Sequence, residues 1–214
     1  MTFVIVLVGW VLSLSLHEFS HALVAYYGGD VTVKDKGYLT FNPIKYTHPV
    51  YSLLLPVIFL LLGGIGLPGG VVYIEHWRIR SDKWLSAMSL AGPHSNLLLA
   101  IVIGLAFSFT PLAGTGIAPA LAFLGLLQVT AALFNLIPVP PFDGYNALRA
   151  HLPLNFREQI DRFSQWSMWI VLALFWYVPS VSGLFWGLVG LVASLAGIPL
   201  DQAIAGQEQF MFWR

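Results

Sequence analysis

Six apolar stretches, at about 2–27, 50–67, 86–110, 116–137, 164–178 and 182–198, are separated by connections that hold nearly all of the charge. A bilayer span needs about 20 apolar residues, within a range of about 17–25. The first, third and fourth stretches meet that length comfortably. The last two are short, and Pro179 with Gly183 separates them, so they read as two short or tilted spans rather than one overlong helix. Only 9% of the 214 residues are charged, against roughly 25% in a soluble domain. The pattern predicts an all-α polytopic membrane protein with five to six transmembrane helices. In the first connection, VTV and YLTF are flanked by glycine, which predicts a short β-hairpin after the first helix.

Ten Lys plus Arg balance ten Asp plus Glu, so there is no basic surplus for nucleic acid, and the lipid bilayer is the expected partner. Cysteine is absent, which excludes disulfides and thiolate metal sites and leaves His, Asp and Glu as the strong ligands. The first sixteen residues carry no Lys or Arg and run without a small-residue cleavage pattern into HEFSH. They are expected to be retained rather than removed as a signal peptide. Lys and Arg favour the cytoplasmic side. With the N-terminus outside and residues 50–67 dipping in and returning, all ten cations fall on that side. Pro56 and GGIGLPGG (63–70) favour such a re-entrant element. The alternative is six simple spans with the N-terminus inside.

Within the first stretch, LSLHEFSHALV (14–24) sets His17, Glu18 and His21 among apolar and hydroxylated neighbours. In a helix, residues i and i+4 share a face, so both imidazoles can address one ion, with Glu18 beside them. HExxH on a helix is the zinc-hydrolase pattern: two imidazole ligands, a third ligand elsewhere, and a glutamate that activates water. Zinc lowers the pKa of that water to about 7, which suits attack on a peptide carbonyl. On a soluble helix the same residues would often be an ordinary exposed face. In lipid an ionised residue at mid-helix costs about 2.5–3.5 kcal/mol, which favours a functional reading.

A third ligand is still required. His48, His76, His94 and His151 lie in or near connections without partner spacing. Asp143, in FNLIPVPPFDG (134–144), is the stronger candidate. Pro138, Pro140 and Pro141 stop the fourth helix and enforce an extended path along which a carboxylate can return towards the metal. Read alone, PPFDG is a turn in which Asp143 caps the segment from Gly144. Beside a metal helix that lacks its third ligand, the ligand reading takes precedence.

Three blocks in order, HEFSH (17–21), AGPHSN (91–96) and NLIPVPPFDG (135–144), resemble the site-2 protease family of intramembrane zinc metalloproteases. The last fits the family's NxxPxxxxDG pattern, and the second its AGPxxN helix start. FNPIKYTHP (41–49) and LLLPVIFLLLGG (53–64) further resemble the small branch that lacks a PDZ domain. The likeness touches most of residues 10–150, with the C-terminal pair matched only in hydropathy. The resemblance implies one Zn2+ ion per chain held by His17, His21 and Asp143, with Glu18 as the general base that later passes its proton to the leaving amine. It further implies Asn135 as an amide donor to the substrate backbone or the oxyanion. Asn96, with Gly92 and Pro93, is read as setting close helix packing. The implied substrate is a protein with a transmembrane helix, cut near the cytoplasmic leaflet of the cell membrane in regulated intramembrane proteolysis. The chain departs from the small branch at His48, where relatives often carry aspartate, and at GLPGGVVY (66–73), where they carry a WAKP-like turn. Those departures bear on the substrate entrance and leave the ligand set intact.

Residues 1–214 read as a single domain, with a catalytic core of about 1–150 and a C-terminal helix pair at about 164–198. A strand edge within 31–41 could hold an extended substrate by β-addition. A competing reading is a membrane metal transporter or metal-binding channel using the same ligands. Transporters line their path with ionisable residues on successive helices and often show internal repeats. The later apolar stretches hold almost no ionisable residues, and repeats are absent. A third reading is a metal-free scaffold that binds membrane helices, against which the intact ligand set argues.

Overall fold

The computed structural model describes residues 1–45, residue 58 and residues 73–213. Among the described residues all regular structure is helical. It comprises α1 (Thr2–Gly28), α2 (Thr32–Asp35), α3 (Asp82–Phe109), α4 (Ala118–Asn135), α5 (Asp143–Arg149), α6 (Leu154–Tyr177), α7 (Pro179–Leu195) and α8 (Leu200–Phe210), with single 3-10 turns at Pro43–Lys45 and His76–Arg78. The re-entrant element expected at 50–67 falls outside the described residues apart from residue 58.

On α1, the large apolar residues Val4, Val8 and Leu12 are exposed in one stripe, while Val6, Trp10, Leu14, His17 and His21 are buried in another. Each stripe follows the spacing of residues that share a helix face. The distribution is compatible with a helix in lipid, with apolar side chains outside and both imidazoles within. α4 is the central helix, with 78% of its apolar window buried against 28% for α3. One core joins Val6, Trp10 and Leu14 of α1 to Phe123 and Leu127 of α4 and Phe210 of α8. A second joins Ala100 and Ile103 of α3 to Ala122 and Val129 of α4 and Val189 and Ala193 of α7. Small residues let these backbones approach: a Cβ on Gly104 would collide with the Ala196 carbonyl, and one on Gly206 with the Pro119 carbonyl.

The expected β-hairpin is corrected: residues 32–35 are helix α2. The cause is Asp30, which is fully buried. Its Oδ1 accepts from the Thr32 backbone N–H at 3.1 Å and from the Thr32 hydroxyl at 2.6 Å, and its Oδ2 accepts from the Glu75 N–H at 2.8 Å. A carboxylate that bonds the backbone two residues on, just before a helix, competes with the strand ladder and wins here over the β-preference of VTV. The Lys36 N–H then donates to the Thr32 carbonyl, and the Tyr38 N–H to the Val33 carbonyl. No strand edge for a substrate is present among the described residues.

The span count is also corrected. Among the described residues three helices, α1, α3 and α4, are long and apolar enough to cross a membrane, and α6 with α7 adds at most one more because the two are bent by 93° at their break. The first half of α6 carries Arg157, Glu158, Asp161 and Arg162, so its apolar part is too short to span. Pro179 opens α7 after the extended Val178, and proline cannot continue the hydrogen-bond ladder of the preceding helix.

The ends of the bundle are tied to one another. The Arg80 N–H donates to the Gly28 carbonyl at 2.9 Å, and Lys36 donates to Glu75 at 3.0 Å. At the start of α3, the Ser86 hydroxyl donates to the Ala147 carbonyl of α5 at 2.6 Å. The C-terminal end of α1, the N-terminal end of α3 and all of α5 therefore lie together.

Candidate metal centre

His17 and His21 stand one turn apart on the buried stripe of α1. With the intervening Glu18 they are 6%, 8% and 4% exposed, respectively. Asp143 arrives from the first turn of α5, brought back by the proline-rich segment that ends α4. Gly144 fits so closely against the Leu136 carbonyl that a Cβ there would overlap it. The Phe142 ring seats edge-on against Phe134 at 5.1 Å between centroids, and the Ser167 hydroxyl of α6 donates to the Pro140 carbonyl.

These elements converge three ligand atoms. His17 Nε2 lies 3.0 Å from His21 Nε2, and Asp143 Oδ2 lies 3.3 Å from the first and 3.4 Å from the second. Among the described residues this is the group able to hold a metal ion. Ligands about 2.0–2.1 Å from a tetrahedral ion are about 3.3–3.4 Å apart, so the spacing fits zinc-sized coordination with a position left open.

The second nitrogen of each ring is already engaged. His21 Nδ1 donates to the Met88 carbonyl at 2.7 Å. Pro93, inside α3, lacks the N–H that would bond Ser89 and locally interrupts the ladder beside that carbonyl. His17 Nδ1 donates to Asn96 Oδ1 at 2.5 Å. Both Nε2 atoms therefore present lone pairs to one another and to the Asp143 carboxylate. Three converging acceptors repel unless a cation lies among them. The room for it comes from Gly92, where a Cβ would collide with Nε2 of both histidines.

Over 213 residues the chain is 44% identical to "Putative zinc metalloprotease Rip2" of Mycolicibacterium smegmatis, a match covering 99% of this chain and 81% of that protein. The protein of the same name from Mycobacterium tuberculosis is 41% identical with the same coverage. "Putative zinc metalloprotease YwhC" of Bacillus subtilis is 32% identical over 173 residues, 77% of each chain. The chain belongs to the site-2 protease family. No protein-family model matches it, and no solved structure matches it significantly.

Of the residues that the sequence singles out in this site-2 protease, His17, His21 and Asp143 meet at one point, with Glu18 buried on the same turn. Asn135 is buried at the last position of α4, outside the ligand cluster, and its side-chain amide has no hydrogen-bond partner among the described residues. His94 and His151 lie elsewhere, on the Leu90 carbonyl and on Ser86. Asn96, read from sequence as a packing residue, contacts His17 directly.

Gln128 and Ser13 escape the sequence reading altogether. Asn96 Nδ2 donates to Gln128 Oε1 at 2.8 Å, and Gln128 Nε2 donates to the Ser13 hydroxyl at 2.9 Å. The signals that could have found them are spacing signals. Ser13 precedes His17 by four residues, and Gln128, an amide in an apolar run, precedes Asn135 by seven.

Proposed function

We propose that the chain is a zinc-dependent intramembrane endopeptidase that hydrolyses peptide bonds in or near transmembrane helices of protein substrates, in the manner of regulated intramembrane proteolysis. The convergence of two imidazole lone pairs and one carboxylate on a buried point between membrane-length helices carries this reading. The names of the relatives support the zinc and the protease chemistry.

His17, His21 and Asp143 would hold the ion. When bound, Zn2+ supplies Lewis acidity, and a water it holds ionises near pH 7. Glu18 takes the proton of the attacking water and passes it to the leaving amine nitrogen as the peptide bond breaks. The Asn135 amide, unpartnered among the described residues, is suited to donate to the substrate backbone or to the oxygen on which negative charge develops. Buried surroundings keep bulk water away from both groups, which strengthens these electrostatic contacts.

The active site is assigned to the cytoplasmic side of the cell membrane, within a multi-pass protein. Supporting this, Lys34, Lys36, Arg78, Arg80, Lys83 and Arg149 lie on the segments tied together at the HEFSH end of the bundle, and basic residues favour the cytoplasm. Residues 1–214 act as one domain, with a catalytic core of about 1–150 and the helix pair of about 164–198 completing it.

The test is Glu18→Gln in a reconstituted assay with a single-span reporter. Cleavage is lost while zinc content, measured on the purified variant, is retained. A zinc-loaded variant with undiminished cleavage refutes the assignment of the base.

A further inference from the structure

We propose that Gln128 and Ser13 are positioning residues of the metal centre: through Asn96 they hold His17 in the tautomer whose Nε2 is free to bind zinc. The proposal rests on the metal site argued above. It goes beyond the ligand set to what fixes a ligand's proton.

The hydrogen bonds form a continuous path from α1 through α4 and α3 and back to α1. Ser13 donates to the Trp10 carbonyl at 2.9 Å, Gln128 Nε2 to Ser13 at 2.9 Å, Asn96 Nδ2 to Gln128 Oε1 at 2.8 Å, and His17 Nδ1 to Asn96 Oδ1 at 2.5 Å. Every side chain on it is buried, with Ser13, Gln128 and Asn96 at 3%, 0% and 3% exposure. Bulk water is therefore absent as a substitute partner.

An amide can be turned end for end, and the path has a second self-consistent sense. In it Ser13 donates to Gln128, Gln128 to Asn96, and Asn96 to His17 Nδ1. The ring proton then sits on Nε2 and blocks the metal. The two senses differ at Ser13. Its hydroxyl has one hydrogen, and a carbonyl can only accept, so spending that hydrogen on Trp10 leaves the oxygen to accept from Gln128. Reversal would leave the Ser13 oxygen and the Trp10 carbonyl as two acceptors in contact. The Trp10 carbonyl thereby fixes the direction of the whole path, and each neutral amide passes that direction on to His17. Outer partners that orient a metal-binding histidine commonly affect affinity by about 10–100-fold.

The experiment uses the full chain in nanodiscs with Ser13→Ala, Ser13→Thr and Gln128→Met. Zinc affinity is measured by competition with a chelating dye. The His17 tautomer is read in metal-free protein from imidazole 15N spectra, with the His17 signals identified by their loss in His17→Gln. The expected result is His17 protonated at Nδ1 in the wild type. Ser13→Ala and Gln128→Met shift it towards protonation at Nε2 and weaken zinc binding by about 10–100-fold, and Ser13→Thr restores both. A folded Ser13→Ala protein with the wild-type tautomer and zinc affinity overturns the proposal. A loss of thermal stability without a change of tautomer does the same. If Gln128→Met does not fold, the Ser13 pair decides alone. A wild type that binds no zinc refutes the proposed function instead, and the tautomer measurement still stands.

Discussion

Gly92→Ala places one methyl group against the proposed ion site, and the structure sets the size of its effect. A Cβ at residue 92 would stand 2.6 Å from His17 Cε1, and closer still to Nε2 of both rings, where ordinary contact begins at 3.4 Å. Both imidazoles must retreat, each by more than about 0.8 Å, whereas metal–ligand distances tolerate about 0.2 Å. The variant should lose one histidine ligand and bind zinc ~100-fold or more weakly, equivalent to about 2.7 kcal/mol. At a zinc concentration 100 times the wild-type Kd, the wild type gains about 2.7 kcal/mol of stability and the variant about 0.4 kcal/mol. Alanine is the better helix former by about 0.8–1.0 kcal/mol, which offsets part of an overpacking penalty of about 1–3 kcal/mol. The metal-free melting temperature should therefore move modestly while the zinc-induced rise collapses. Thermal unfolding in detergent, with and without chelator, measures both. A folded variant that keeps the full zinc-induced rise would show that the ion does not lie between Gly92 and the two rings.

Two further outcomes separate chemistry from scaffolding. Asn135→Ala should lower kcat by ~10²-fold or more, as loss of an oxyanion donor does, with zinc affinity unchanged; a fall in zinc affinity with kcat per bound metal preserved would assign the amide to holding the site. Beside α2, hydrogen bonds from Arg78 and Lys36 hold the Glu75 carboxyl below its ordinary value of 4.5. A depressed carboxylate contributes stability above its unfolded pKa and loses it as pH falls through the lowered folded value. The tie between Lys36, just after α2, and residues 73–80 should thus loosen only below about pH 4.5. A 19F-tryptophan probe at Trp77, whose ring lies 4.1 Å from the Arg78 guanidinium, should report that transition. Glu75→Gln should abolish it, and an unchanged titration in that variant would place the cause elsewhere.

The parts of the site that the sequence discloses are those whose chemistry is out of place in lipid. His17, Glu18 and His21 stand out because ionisable groups at mid-helix are expensive, and Asp143 because three prolines and a glycine leave the chain little choice but to turn back. The helix that stands in place of the expected hairpin has a different cause. VTV has strand propensity, but Asp30 is fully buried and its carboxylate bonds both the local backbone and Glu75 forty-five residues away. That long-range partner cannot be read from local pattern. The span count failed similarly. Hydropathy sees two apolar stretches near the C-terminus, whereas the 93° bend at Val178–Pro179 makes α6 and α7 at most one span. Gln128 is not legible in the sequence because a single amide in an apolar run reads as helix packing until its two partners are seen.

Those partners also explain why amides, rather than a carboxylate, stand behind His17. A carboxylate is a common acceptor for the second nitrogen of a metal-binding histidine. Here Glu18 and Asp143, when ionised, would already bring two negative charges into the bundle, which the proposed divalent cation would balance. A third carboxylate would leave one charge uncompensated among helices of membrane length, where an ionised side chain costs about 2.5–3.5 kcal/mol. Asn96 gives His17 Nδ1 its acceptor without adding charge. Its own N–H then needs a partner in the same dry interior, since an unsatisfied buried donor costs about 1–3 kcal/mol. Gln128 meets that need and creates the next one, which Ser13 meets. The path ends only at the Trp10 carbonyl, which accepts and requires nothing further. Its length follows from neutrality: each uncharged amide that spares the site a charge passes its hydrogen-bonding demand to the next helix until a backbone acceptor closes it.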